Sequence, residues 1–254
     1  MIEVQPPRAL ASPGAGGVRI TDVSRTFTGR HGTVAALAGV SLRAAPGEIV
    51  AVVGPSGCGK TTLLELICGL QQPDAGTVIS DPAALMPQRD LLLPWLSALD
   101  NAGLALRVQG MGRKAARAAA APWLERFGLA GFEAMRPAML SGGMRQRVSF
   151  LRSLLAGKPV LALDEPFHAL DALTRAEMQG WLAHVLATAP RTVVLVTHDV
   201  EEAVVLGDRV VVLSARPGRV VADIAIAASR PRRRTDPEIV ELRARVLAAL
   251  GVRE

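Results

Sequence analysis

Residues 54–61 read GPSGCGKT, three glycines with a lysine and a threonine at the end of an apolar run. Glycine brings no side chain to a core, and a lysine in that place has to be solvated or paired. The same residue types suit a loop that wraps a small anion. Gly54, Gly57 and Gly59 allow successive backbone N–H groups to turn inward as a concave nest for phosphate oxygens. The helix predicted by Leu63, Leu64, Ile67 and Leu70 adds the partial positive charge of its N-terminus. The run matches G-x-x-x-x-G-K-[ST] without a gap, between a predicted buried strand and a predicted helix, which is the setting the motif requires. Its chemistry assigns Lys60 to the β- and γ-phosphates of a nucleotide, the Thr61 hydroxyl to Mg2+ and Thr62 to a further phosphate contact. Pro55, Ser56 and Cys58 complete the loop. Cys58 is expected to matter through its backbone, in surroundings that lower the pKa of its thiol. A plain glycine-rich strand–helix turn is the alternative for this motif taken alone.

A phosphate loop needs a second strand to hold the metal, and VLALDEP (160–166) supplies one. Asp164 closes its apolar run, where a carboxylate reaches Mg2+ directly or through water. Glu165 follows, points elsewhere, and is placed to polarise an attacking water. In LSGGMRQR (140–147), Ser141, Gly142 and Gly143 precede a helical MRQRVSFLRSLL and make a second phosphate-binding helix start. One nucleotide needs one phosphate loop, so the second implies a nucleotide held by another copy of the chain.

The elements that must position these residues follow from the hydrophobic pattern. EIVAVVG (48–54), PVLALDEP (159–166), TVVLVTHD (192–199) and DRVVVLSA (208–215) are continuous apolar runs, as expected of strands buried on both faces. Helical segments lie between several of them, which predicts an α/β domain with a mainly parallel central sheet. VRITDVSRTF (18–27) and AALAGVSLRA (35–44) predict shorter strands of an antiparallel layer, joined by TGRHGT. From about Leu91 to Arg152 the strand signal fades, and Leu124, Phe127 and Leu129 follow Pro122 at helical spacing, so an inserted helical segment is expected. TDPEIVELRARVLAALG (235–251) predicts a helix with Thr235 or Asp236 as its cap, Pro237 in its first turn and a glycine stop.

Composition narrows the class. The chain has 254 residues, enough for one large domain or one with an inserted subdomain, and no apolar run is long enough to span a membrane. Residues 1–17 lack a basic stretch ahead of an apolar one and read as a flexible lead-in rather than a secretory signal. Tyrosine is absent, so alanine, valine and leucine are expected to do most of the packing. Much of the net charge of +6 lies in GRKAAR (112–117) and SRPRRR (229–234). Neither run is interleaved with aromatics, so nucleic acid is not expected as a partner. A solvated surface is expected for both, with contact to an anionic membrane surface or a partner left open. Cys58 and Cys68 are too few for a disulfide framework, which points to a reducing cytoplasm.

With LSGGMRQR added to the other two motifs, the chain resembles the ATP-binding cassette (ABC) family, whose signature motif that string matches. The resemblance runs over about residues 18–225. It implies an ABC ATPase domain there: a P-loop NTPase core with a mainly parallel sheet, an N-terminal antiparallel β-subdomain, and a helical subdomain inserted at about 91–152. Residues 226–254 are left as a basic linker and C-terminal helix. The resemblance further implies that Phe27 stacks on adenine, where the family usually has Tyr, and that Gln88, after Pro87, senses the γ-phosphate and Mg2+. Asp171 of HALD would contact the partner subunit, and His198 of VTHD would touch the γ-phosphate. His168 is expected at the surface, and His31 and His184 solvated or packed.

The implied catalytic set is Glu165, His198, Gln88 and Lys60, and the metal set is Thr61, Gln88 and Asp164. Phe27, Gly54, Pro55, Ser56, Gly57, Cys58, Gly59, Lys60, Thr61 and Thr62 would bind the nucleotide from one copy, and Ser141, Gly142, Gly143 and Asp171 from the other. LLLPW (91–95) and LDN (99–101) resemble importers of the nitrate, sulfonate and taurine group and of thiamine-precursor pyrimidines. Trp95 is either core or an anchor beside the groove that receives a helix of the membrane subunit. The implied protein is an ATP- and Mg2+-dependent ATPase subunit of an importer, peripheral on the cytoplasmic face of the cell membrane. It would pair with a second copy and sit on integral permease subunits, served indirectly by a solute-binding protein. The alternative is a non-transport ABC ATPase acting on nucleic acid or ribosomes; twin cassettes or a long coiled-coil insert would mark it, and the sequence has neither.

Overall fold

The computed structural model describes residues 16–29, 32–168, 170–188 and 190–252. His31 and most of the expected lead-in lie outside the described residues. The last two residues of that stretch are tied down: the Gly17 N–H donates to Asp81 Oδ2 at 2.8 Å, and the Gly16 carbonyl accepts from the Thr192 hydroxyl. Residue contacts divide the chain into two compact units, Gly14–Leu85 with Pro159–Glu165 and Pro190–Glu254, and Met86–Lys158 with Pro166–Ala189.

The first unit carries the sheets. β1 (Val18–Gly29) pairs antiparallel with β2 (Gly32–Ala44) on one side. After β3 (Ile49–Val53) and α1 (Lys60–Ile67), β4 (Ala75–Ser80) pairs antiparallel with its other side. The second sheet adds β5 (Ala83–Met86), β6 (Val160–Asp164), β7 (Thr192–Thr197), β8 (Arg209–Leu213) and β9 (Val220–Ala225), in the order β5-β6-β7-β3-β8-β9. β6, β7, β3 and β8 run parallel, and β9 turns back antiparallel. Every residue of β3, β6 and β7 is buried, which is why their sequences read as unbroken apolar runs. The register sets Val53 opposite Thr197 and Asp164 opposite Val196, so these strands finish along one edge and the loops that follow converge there. α1 buries Leu63, Leu64, Leu66 and Ile67 in a cluster with Val52, Val160 and Val194.

The second unit is helical: α2 (Ala98–Ala102), α3 (Leu104–Val108), α4 (Arg113–Arg126), α5 (Gly142–Leu155) and α6 (Ala172–Thr188). α4 carries Pro122 in its interior, and Phe127 caps its C-terminal end. Alanine, valine and leucine supply most of the unit's buried residues, as expected, and an aromatic cluster joins them. Trp181 meets Phe127 edge-on at 4.2 Å and Trp123 at 5.8 Å between ring centroids, and Phe150 and Phe167 extend the cluster. Trp95 is not part of it and is 67% exposed. The basic run at 112–117 is not merely solvated. Arg113 and Arg117 approach the buried Asp100 at 2.8 and 3.8 Å. Arg113, helped by Ser97, holds that carboxyl below the usual carboxylate range against the opposing effect of burial.

The basic run at 229–234 is likewise structural. In the sheet unit, α7 (Val200–Leu206) and α8 (Pro237–Ala249) share a core with β3 and β8 through Val200, Val204, Ile239, Leu242 and Val246. Arg232 lays its guanidinium across the end of α7 and donates to the carbonyls of Val204, Val205, Gly207 and Ala228. The first three, at the end of α7, are carbonyls that a helix end leaves without partners. Arg230 pairs with Asp208 and Arg234 with Glu201. Asp236 does occupy the cap position of α8, but its carboxylate accepts from the Arg233 N–H rather than from the helix. Arg232→Ala should therefore lower the thermal stability of the chain by about 1–3 kcal/mol, the cost of leaving partly buried carbonyls unpaired. The exposed Arg233→Ala should change it by less than about 0.5 kcal/mol. Paired melting scans of the two variants check this.

Candidate functional site

β3 ends at Val53 and the chain turns through Gly54–Gly59 into α1. Gly57 and Gly59 hold φ of +76° and +98°, a region that a side chain disfavours. A Cβ at Gly59 would also lie 2.6 Å from the Leu37 side chain and 2.7 Å from the Ala36 carbonyl. The loop is thus shaped by neighbours on β2 as much as by its own flexibility. Pro55, Ser56 and Gly57 are exposed. Lys60 is buried at 8% exposure and its ammonium turns back onto the loop, donating to the carbonyls of Gly54 at 2.8 Å and Pro55 at 3.1 Å. Thr62 is buried in α1, whereas Thr61 is exposed. The expected lowering of the Cys58 thiol pKa is overturned: the side chain is fully buried, and burial pushes the thiol above its ordinary range despite the Lys60 charge.

Thr61 Oγ1 donates to Asp164 Oδ2 at 2.8 Å, which joins the start of α1 to the end of β6. Asp164 is 3% exposed, and burial raises its pKa above the usual carboxylate value, an effect that the Thr61 hydroxyl and Lys60 only partly oppose. Glu165 is one of three non-glycine residues with positive φ among those described, at +48°. A left-handed conformation costs a residue with a side chain about 1–2 kcal/mol. Its N–H is held by the Val196 carbonyl at 2.8 Å. The turn sends its side chain away from Asp164 and toward the end of β7, where Glu165 Oε1 lies 3.1 Å from His198 Nδ1. His198 is 60% exposed on the side chain. It precedes Asp199, which caps α7 by accepting from the N–H groups of Glu201 and Glu202.

Phe27, near the end of β1, is 39% exposed. The Arg25 guanidinium sits 5.0 Å from its ring centroid, two residues away on the same strand. Asp74 holds Arg25 at 2.6 Å and the Thr26 N–H at 2.6 Å, and Gln71 accepts from Arg25 Nε. Phe27 is therefore a braced ring, and the bracing residue carried no motif signal.

In the helical unit, Ser141 caps α5 and accepts from the Met144 N–H at 3.2 Å. Ser141 and Gly142 are exposed and Gly143 partly so. Gln88 is exposed beyond β5, at the start of the segment that reaches Trp95. That segment is stitched to α5. Arg145 donates to Asp90 Oδ2 at 2.9 Å, and Arg152 donates to the carbonyls of Asp90 and Leu91, each at 2.8 Å. Asn101 is fully buried and bonds Leu93 through both its N–H and its C=O, as well as the carbonyls of Leu96 and Ser97. Asp171 caps the first turn of α6 through the Thr174 N–H at 3.0 Å, which lowers its pKa. His168 and His184 are exposed.

Arg25, Arg145, Arg152 and Asn101 are thus missed by motif reading. Asn101 had a faint signal in LDN, and the arginines had none, since a guanidinium reaching distant carbonyls leaves no local spacing.

The family described as ABC transporter matches residues 37–168. The chain is 43% identical over 237 residues to the taurine import ATP-binding protein TauB of Burkholderia pseudomallei, covering 87% of this chain and 91% of that protein. It is 44% identical over 241 residues to the aliphatic sulfonates import ATP-binding protein SsuB of Delftia acidovorans, covering 94% and 95%. With the formylaminopyrimidine import ATP-binding protein ThiZ of Halalkalibacterium halodurans it shares 48% identity over 173 residues, 67% and 70% of the two chains. Among solved structures, a dimeric post-hydrolysis ATP-binding cassette bound to ADP and Pi superimposes with a TM-score of 0.76 at 30% identity, over 84% of this chain and 100% of that one. The matched span covers half the chain and the relatives cover nearly all of it, so the chain belongs to the ABC transporter family, among its ATPase cassettes.

Proposed function

We propose that the chain is the ATPase subunit of an importer for a small solute of the taurine, sulfonate or formylaminopyrimidine kind, acting with separate membrane subunits. The observation that carries this reading is the convergence at one sheet edge: Lys60 and Thr61 on the loop after β3, Asp164 and Glu165 after β6, and His198 after β7. The triphosphate of ATP lies in the 54–61 loop, and Lys60 leaves the Gly54 and Pro55 carbonyls for phosphate oxygens. The Thr61 hydroxyl and the Asp164 carboxylate, already 2.8 Å apart, are the hard oxygen donors that suit Mg2+. Mg2+ is typically held by one or two carboxylates plus substrate phosphates. When bound, the ion neutralises charge on the β- and γ-phosphates. Glu165 orients the water, and His198, held by the Glu165 carboxylate, faces the γ-phosphate. Phe27 stacks on adenine.

The signature residues Ser141, Gly142 and Gly143, with Asp171, act on the nucleotide of a second copy, so ATP closes a dimer and hydrolysis opens it. Among the described residues no helix is long and apolar enough to cross a membrane. The exposed Leu91 and Trp95 in the segment after Gln88 give the permease an apolar place to seat, on the cytoplasmic face of the membrane. A solute-binding protein completes the system. No observation favours the nucleic-acid alternative.

Three outcomes follow from these assignments. Glu165→Gln should bind MgATP yet lose hydrolysis by about 10²–10⁴-fold, the usual worth of a positioned base; single-turnover measurement checks it, and near-normal turnover removes Glu165 from the mechanism. Trp95→Ala should leave the melting temperature of the free cassette unchanged within the roughly 0.5 kcal/mol expected of a surface site, while weakening pull-down by the permease. Asp164→Asn tests the buried ligand. Because the folded pKa of Asp164 is raised, its protonated form favours folding, and that stability is lost as pH rises from the unfolded value of about 3.9 through the folded one. The nucleotide-free Asn variant should therefore melt higher than the parent at pH about 8, with the gap closing toward pH about 4 as the parent's carboxyl protonates in both states. The same variant should lose Mg2+-dependent hydrolysis.

A further inference from the structure

We infer that Arg216, in the turn between β8 and β9, is a positioning residue of the phosphate loop: it holds the Gly57 carbonyl outward and so forms the loop before nucleotide arrives. The inference rests on reading residues 54–61 as that loop. Arg216 Nε donates to the Gly57 carbonyl at 2.9 Å across 159 residues of sequence. The guanidinium lies close against the glycine, since a Cβ at Gly57 would be 2.5 Å from Arg216 Nη2. Its turn is itself fixed. The Gly218 N–H donates to the Ala36 carbonyl at 2.8 Å, and the Gly218 carbonyl accepts from the Ala38 N–H at 3.0 Å. Ser214 and Arg219 close the turn, with the Ser214 N–H donating to the Arg219 carbonyl at 2.9 Å. A Cβ at Gly218 would stand 2.1 Å from the Cys58 carbonyl, so this turn meets the loop at two consecutive residues.

The chemistry follows from one peptide. A trans peptide sets its C=O and N–H on opposite sides. Arg216 takes the C=O of the Gly57–Cys58 peptide from outside. The N–H of that peptide points to the Pro55 carbonyl, 3.3 Å away, the same oxygen that accepts from Lys60. The outer donor therefore fixes an N–H on the side where Lys60 and the phosphates meet. A carbonyl swung inward would repel an anion, and holding it outward removes that state from the empty loop. Affinity gained this way is pre-organisation: ATP binding no longer has to order the loop. The exposed guanidinium also adds a positive charge at the rim.

The test is calorimetric titration of MgATP and of ADP into the full-length chain. Arg216→Ala should weaken both nucleotides about five- to tenfold, the scale of a lost charge-assisted hydrogen bond partly open to solvent, and raise KM by the same factor with kcat retained. Arg216→Gln keeps an N–H donor without the charge and should bind within about twofold of the parent, since the bond rather than the charge does the bracing. The brace is overturned if Arg216→Ala binds like the parent, or if it lowers kcat with affinity intact. It is also overturned if Arg216→Gln is as weak as the alanine variant while Arg216→Lys binds normally, for then only charge at the rim matters. Should the alanine variant not fold, the glutamine and lysine variants decide alone. Lys60→Ala in the same titrations separates the two levels: if it binds MgATP normally, the phosphate-loop reading itself fails, and if it does not while Arg216→Ala does, only the brace fails.

Discussion

A cradle of backbone donors built for an anion has to exist before the anion does, and the rest of the sheet unit is arranged around that constraint. Gly57 and Gly59 take conformations that few other residues hold, and local hydrogen bonds are only part of what keeps them there. The rest of the holding is done from outside, by Ala36 and Leu37 on β2 and by the turn at 214–219. Lys60 meets the remaining electrostatic demand by folding its ammonium onto two loop carbonyls. The three-stranded sheet is thus more than a lid on the core. One of its strands forms a wall of the loop.

The polar residues at this edge are placed at the expense of stability. Asp164 is a carboxylate in a nearly closed site, and Glu165 holds a backbone angle that glycine would hold more easily. Each persists because the parallel strands over-determine it: β6 and β7 are in register through Asp164 and Val196, and the Glu165 N–H is bound by that same Val196. The helical unit solves a different problem, holding an irregular segment without a sheet. Arg145 and Arg152 on α5 and Asn101 on α2 tie down residues 90–97, so the helix that begins at Ser141 also fixes the segment that ends at Trp95.

What could be read from the sequence was whatever is local. The strands 48–54, 159–166, 192–199 and 208–215 stand out because burial on both faces leaves continuous apolar runs, and each observed strand falls inside its predicted run. The glycine spacing of 54–61 is legible because a loop that wraps an anion is written in consecutive residues. The thiol of Cys58 was misread for the complementary reason: its environment is set by desolvation from distant strands, which outweighs the neighbouring lysine. The basic run at 229–234 looked like solvated charge because its acceptors, Asp208, Glu201 and the carbonyls ending α7, are remote in sequence. Arg25 and Arg216 escaped for the same reason. The long side chain that makes arginine useful as a brace also separates it from what it braces.

The distribution of aromatic residues has an optical consequence. The chain has three tryptophans and no tyrosine, and Trp95, Trp123 and Trp181 all belong to the helical unit. Intrinsic fluorescence therefore reports on that unit alone, while the sheet unit, with its phosphate loop, is dark. Within the signal, the two populations separate by environment. Trp123 is buried against Trp181, and the half-buried Trp181 packs on Phe127 and Phe150, so both are expected to emit toward the blue. The solvated indole of Trp95 emits toward the red and is open to a soluble quencher. A quenching titration thus observes the segment after Gln88 without any label, and the protein carries its own dye at the surface where its membrane partner is proposed to sit.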